Sequence, residues 1–269
     1  MPFVSDVITG LLLLDLTHTW GLGVPSYPGQ EDVKMFRAVK HSQHGVLAWK
    51  VNTSLHTGTH LVAPIHLIQK GADLAAVPLE RLFGNGVVLH VPKCKFEKIT
   101  EEDLVSAGGV KAGDMVVINT GWHHKYSDGM EYYGYAPGLT EDAAQYLVEQ
   151  EVKLVAMDTP FIDLPLATHM GLHRGGPQIK RLPDEYRKAT GKEPAEEHGK
   201  LYVAQKILLC NGIPTIVQVG GDLDEVSGKR VTLAAAPWRF KHGDACPVRV
   251  VAMVSPDGKC RIDSGLEEE

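Results

Sequence analysis

Short runs rich in β-branched residues recur along the chain and alternate with segments whose apolar positions are spaced for helices. Residues 86–91 (GVVLHV), 115–119 (MVVIN), 152–157 (VKLVAM) and 215–219 (TIVQV) read as buried or half-buried strands. Thr100 before Glu101, Glu102, Asp103 and Leu104 has the form of a capped helix start, and Thr140 before Glu141, Asp142, Ala143 and Ala144 repeats it. Strands interleaved with helices predict an α/β fold with one sheet system. The most polar stretch runs from Arg174 to Lys200. It reads as a partly helical surface insertion, a lid or a subunit contact. No repeat, low-complexity tract or linker interrupts the pattern, so residues 1–269 are expected to form a single domain with that insertion around 174–200.

Composition narrows the function classes. The chain is 43% hydrophobic and 22% charged with a formal net charge of -6, which offers no basic surface for nucleic acid or an anionic membrane. No run approaches the ~18 apolar residues of a membrane helix. The start of the chain lacks the cationic region and long apolar stretch of a secretory leader, despite Leu11 to Leu14. Cys94, Cys210, Cys246 and Cys260 form no CxxC pair, so a disulfide framework and a thiolate zinc site are both disfavoured and a cytoplasmic setting is expected.

The chemistry concentrates at histidines. Of 13 in the chain, His56, His60 and His66 fall in the segment His-Thr-Gly-Thr-His-Leu-Val-Ala-Pro-Ile-His. Neutral imidazole suits Zn or Mn, and Gly58 permits the tight backbone that turns neighbouring side chains to one side. The spacing marks His56, His60 and His66 as candidate ligands of one divalent metal.

That segment resembles the signature HxGTHxDxPxH of the cyclase family of metal-dependent hydrolases, which includes the kynurenine formamidases and isatin hydrolases. The resemblance extends to Asp15-Leu16-Thr17-His18, Pro25-Ser26-Tyr27-Pro28-Gly29, Gly138-Leu139-Thr140, Met157-Asp158-Thr159-Pro160, the stretch from Asp222 to Val226, and Ala236-Pro237-Trp238. It implies a compact single domain around a mixed, barrel-like β-sheet with flanking helices, assembly as a homodimer or homotetramer, and hydrolysis of an amide, cyclic amide or imide, or lactone in a small molecule. In two-metal members the histidines matching His56 and His60 hold one ion with the motif aspartate. The histidine matching His66 serves the second ion with a later histidine and a glutamate.

This chain departs from the pattern. Val62 stands in place of the aspartate, Gln218 aligns with the glutamate, and Lys206 aligns with the late histidine, with His198 as the alternative. Three accounts follow: a single ion on His56, His60 and His66 that activates water; a metal-free lyase or isomerase in which His66 or another histidine is the base and Lys206 steadies an oxyanion; and a non-catalytic small-molecule-binding relative. The set of catalytic candidates is therefore His66, Lys206 and Gln218. His169, His173, Arg174, Trp20 and Tyr27 are candidate substrate contacts, Arg174 through its planar fork, with Trp49 and Trp122 as further aromatic walls. Asp158 is expected to orient a histidine, and His123 and His124 read as surface residues.

Overall fold

The computed structural model describes residues 4–169 and 179–255. In chain order the strands are β1 (Val4–Ser5), β2 (Leu12–Asp15), β3 (Lys34–Val39), β4 (Ala48–Asn52), β5 (His60–Val62), β6 (Phe83–His90), β7 (Lys98–Ile99), β8 (Met115–Asn119), β9 (Gly138–Leu139), β10 (Leu154–Met157), β11 (Thr215–Val217), β12 (Arg230–Ala236), β13 (Ala245–Pro247) and β14 (Arg249–Val254). Ten of them form one mixed sheet in the order β1-β2-β14-β12-β6-β8-β10-β11-β5-β13, with β3-β4 and β7-β9 as separate pairs. The four central strands β6, β8, β10 and β11 run parallel, and the flanks are antiparallel. The sheet curls on itself. The chain just beyond β2 meets the chain just beyond β11 through a Thr17–Val219 bridge and a hydrogen bond from the Gly220 N–H to the Leu16 carbonyl.

Alternation along the central strands assigns two faces. Val88, Met115, Val117, Leu154, Ala156 and Ile216 point into the curled interior with Leu61, Leu233, Val250 and Ala252. Their neighbours Val87, Leu89, Val116, Ile118, Val155, Met157 and Val217 point outward and bury Leu104, Ala143, Leu147, Ala204 and Leu208 of the covering helices. Those helices are Glu101–Ser106, Glu141–Glu149 and Val203–Cys210. Thr100 and Thr140 cap the first two as their sequences predict, Thr100 in a reciprocal box with Asp103. The described part of the polar stretch folds as two helices, Leu182–Thr190 and Pro194–Glu197, and Leu182 and Tyr186 anchor it in an aromatic cluster with Phe96, Trp122, Tyr132 and Phe161. No described helix is long and apolar enough to cross a membrane.

Candidate active site

Because β5 alternates, His60 and Val62 face outward toward helix Val203–Cys210 while Leu61 enters the interior. His56 lies in the loop before β5, and His66 ends a short 3-10 turn, Pro64–His66. Gly58 makes the turn between the first two histidines at φ +64°, a left-handed conformation that favours glycine. A Cβ there would also stand 3.0 Å from Val24 Cγ1 and 3.1 Å from Trp20 Cδ1.

Two of the three imidazoles, His56 and His66, meet at a fourth residue, Asp244. His56 Nε2 and His66 Nδ1 each lie 2.9 Å from Asp244 Oδ2, and His56 Nδ1 lies 3.3 Å from His60 Nε2. His56 is therefore the hub, with one nitrogen turned to His60 and the other to Asp244. This differs from the expectation of one nitrogen from each of three rings aimed at a common point. The trio whose donor atoms gather closely enough to hold an ion is His56, His66 and Asp244.

Sequence reasoning missed Asp244, and the register shows why it belongs here. Ala245 of β13 pairs with Val62 of β5, and the Ala63 N–H donates to the Asp244 carbonyl at 2.8 Å. The carboxylate missing at position 62 thus arrives from the adjoining strand. The two histidine hydrogen bonds hold Asp244 far below the usual carboxylate range, outweighing its partial burial, so it is an anion at neutral pH. His60 is lowered as well, which keeps it neutral. Complete burial and the neighbouring His56 lower its pKa to about 3, against the opposing hydrogen bond from its Nδ1 to the Gly58 carbonyl at 2.8 Å.

These contacts test whether a cation fits. Without an ion, Asp244 accepts from His56 Nε2 and His66 Nδ1, and the Gly58 carbonyl accepts from His60 Nδ1. His56 Nε2, His66 Nδ1 and Asp244 Oδ2 all lie within 4.8 Å of one another, so one cation can take the place of the two N–H protons between them. Imidazoles with one carboxylate are a donor set that suits zinc. The residues present therefore fit a divalent metal.

The cluster opens on a cavity of about 290 Å³ walled by the rings of Tyr27, Phe161 and Tyr202, the aliphatic Val62, Leu67 and Val217, and the polar Gln30, Gln205 and His169. The Tyr27 and Tyr202 hydroxyls are 3.4 Å apart, and the Tyr202 hydroxyl accepts the His169 N–H at 2.9 Å. Tyr202 takes up a left-handed conformation at the start of helix Val203–Cys210. Asp163 caps that helix by accepting the Ala204 and Gln205 N–H groups, and burial raises its own pKa to about 6.

Several expected residues lie elsewhere. Lys206 is exposed on the opposite side of its helix, beside Glu141, Gln145 and Asn211, so it puts no ammonium in the cavity. The preceding residue, Gln205, is the one that faces in, and its Nε2 donates to Thr215 Oγ1 at 3.1 Å. Gln218 is buried but turned away, reaching Tyr133 at 3.5 Å, while Val217 takes the cavity position. The chain turns sharply there, with Gln218 at φ +61°. His198 sits against Tyr186 and lines a different depression with Lys98 and Glu197. Trp20 lines another surface hollow, with His18 and Trp238. Trp49 is exposed and Trp122 fully buried, so neither walls the cavity. Asp158 orients a histidine, but that histidine is the buried His123 rather than a cavity ligand. His124 alone of that pair is exposed. His173 and Arg174 lie outside the described residues.

Comparison with known proteins agrees with this architecture. The Cyclase family model matches residues 14–164. A kynurenine formamidase of Salinibacter ruber (strain DSM 13855 / M31) is 24% identical over 253 residues, which is 92% of this chain and 100% of that protein. Isatin hydrolase A from Labrenzia aggregata, solved with benzyl benzoate, superposes with a TM-score of 0.72 at 22% identity over 91% of this chain and 94% of the other. A structure described as a potential metal-dependent hydrolase with cyclase activity gives 0.64 at 22% identity over 90% and 98%.

Proposed function

The chain belongs to the cyclase family, and on that premise we propose that it is a hydrolase that opens an amide, a cyclic amide or imide, or a lactone in a small molecule at a metal-dependent site. The observation that carries this reading is the gathering of His56, His60, His66 and Asp244 on the wall of an aromatic cavity. The names of its relatives, a kynurenine formamidase and an isatin hydrolase, supply the bond class.

A Zn²⁺ or Mn²⁺ ion held by His56, His66 and Asp244, with His60 beside it, would polarise a carbonyl and acidify a water molecule. The Asp244 anion offsets part of the ion's charge. His60 stays neutral at working pH, so its Nε2 lone pair remains available. Tyr27, Phe161 and Tyr202 would flank a ring, and Val62, Leu67 and Val217 would keep bulk water from it. One ion in the cavity is the expected count, because Val62, Gln205 and Val217 add no charge on the far wall. Placing Lys206 outside the cavity removes the cation on which a metal-free mechanism would draw.

The test is turnover of an N-formyl arylamine, an isatin-type lactam and an aryl lactone by chelator-stripped and by zinc- or manganese-reloaded protein. Activity on at least one that returns only with metal is expected. Equal turnover in chelator would refute the metal's role. Thermal stabilisation by these compounds without turnover would mark a binding protein instead.

A further inference from the structure

A second histidine cluster lies apart from the cavity. His123 and His124 occupy the 3-10 turn Trp122–Lys125 that follows β8, and Asp224 occupies the turn Leu223–Val226 that precedes β12. Both imidazole Nε2 atoms converge on Asp224 Oδ2, at 3.3 Å from His123 and 3.0 Å from His124. We propose that His123, His124 and Asp224 form a second divalent-metal site, of zinc type, that ties these two turns together.

His123 and Asp224 are held from behind. His123 is buried, and its Nδ1 lies 3.1 Å from the fully buried Asp158 Oδ2, which also accepts the Trp122 and His123 backbone N–H groups. The Asp158 carboxylate on Nδ1 fixes the ring so that Nε2 points at Asp224 Oδ2. The three donor atoms lie within 4.8 Å of one another, close enough to hold one ion. The same carboxylate–histidine pairing orients ligands at known zinc sites. Asp224 is fixed in turn, since its Oδ1 accepts from the buried Asn119 Nδ2 at 3.1 Å, which leaves Oδ2 for the two rings. His124 is exposed, which gives an ion a path in. Two imidazoles and one carboxylate suit zinc or another late first-row ion and disfavour calcium or magnesium, which prefer oxygen ligands. The neighbouring cation Lys125 is engaged by Glu131 and by the Trp122 ring.

The decisive measurement is zinc binding by equilibrium dialysis on the full chain carrying His66→Ala and Asp244→Asn, which disables the cavity ligands and makes the result independent of the proposed hydrolase. One zinc per chain is expected, with binding at least about 10-fold weaker once His124→Ala is added. His124→Ala in the otherwise unaltered chain should likewise lower total zinc by one equivalent while leaving metal-dependent turnover intact. His124 is exposed, so this variant should fold. Absence of zinc from the folded cavity variant, or zinc binding unaffected by both His124→Ala and Asp224→Asn, would overturn the assignment.

Discussion

Replacing Asp244 with asparagine changes the cavity cluster at its single negative charge. Asp244 Oδ2 accepts from His56 Nε2 and His66 Nδ1 at 2.9 Å each. Hydrogen bonds to a charged group contribute about 1.5–3 kcal/mol each when buried. The Asp244 side chain is 40% exposed, so solvent screening reduces the pair to about 1–2 kcal/mol in total. The pH dependence follows from the depressed pKa. A carboxylate held below its ordinary value stabilises the fold above about pH 4, and that contribution fades as acid protonates it in the unfolded and then the folded chain. The difference in unfolding free energy between the wild type and Asp244→Asn should thus be constant from about pH 5 upward and shrink below about pH 4. Function should suffer more than stability, because an amide offers neither the charge nor the second strong acceptor. Metal affinity should fall by about 100-fold or more, and turnover with it. Urea melts across pH, with metal content measured after dialysis, read both effects. A variant that loses 1–2 kcal/mol yet keeps the wild-type metal affinity and turnover would make Asp244 a structural bridge and refute its role as a ligand.

Other outcomes follow from the same geometry. His60 is lowered to about 3 and His18 to about 4, both mainly by burial, so each takes up a proton on unfolding between pH 4 and 6. Stability should therefore fall as pH drops below 6.5, by about 1.4 kcal/mol per pH unit for each group, and His60→Asn should remove one of the two slopes. An unchanged slope would show that His60 is protonated in the native state. Lys206→Met should leave turnover unchanged and stability within about 0.5 kcal/mol, since the side chain is exposed outside the cavity. A large loss of turnover would return Lys206 to the site. Val62→Asp should cost about 3 kcal/mol, because the residue is 2% exposed and packs on Leu209 and Ala245. It should still bind one ion at the cavity, and cavity binding of two would contradict the reading of Gln205 and Val217 as non-ligands.

The fold was largely legible because its determinants are local. The β-branched runs at 86–91, 115–119, 152–157 and 215–219 overlap β6, β8, β10 and β11, although β10 starts at Leu154 and β11 stops at Val217. Thr100 and Thr140 mark helix starts through side-chain oxygens that serve N–H groups three residues on. What periodicity could not give is the order of strands, since β12 joins β6 and β2 joins β14 through pairings distant in the chain, such as Arg230 with Val87 and Val251 with Asp15.

The histidine cluster was legible for the same reason, being carried by one segment around Gly58, whereas the rest of the site was not. Asp244 lies 188 residues from His56 and reaches it only because β13 pairs with β5. Lys206 and Gln218 were each expected one residue too far along the chain, and both misplacements have the same physical effect. At the end of β11, Val217 faces the cavity, and the sharp turn at Gln218, with φ +61°, sends the next side chain to Tyr133. On a helix, the same shift rotates the side chain by about 100°, which carries Lys206 from the cavity to solvent and leaves Gln205 facing in. The chemistry of the far wall then changes character. A lysine there would have stood in for a missing ion, whereas a glutamine and a valine carry no charge. The electrostatic balance of the cavity therefore rests on Asp244, its one carboxylate, and on the cation that His56 and His66 would hold with it.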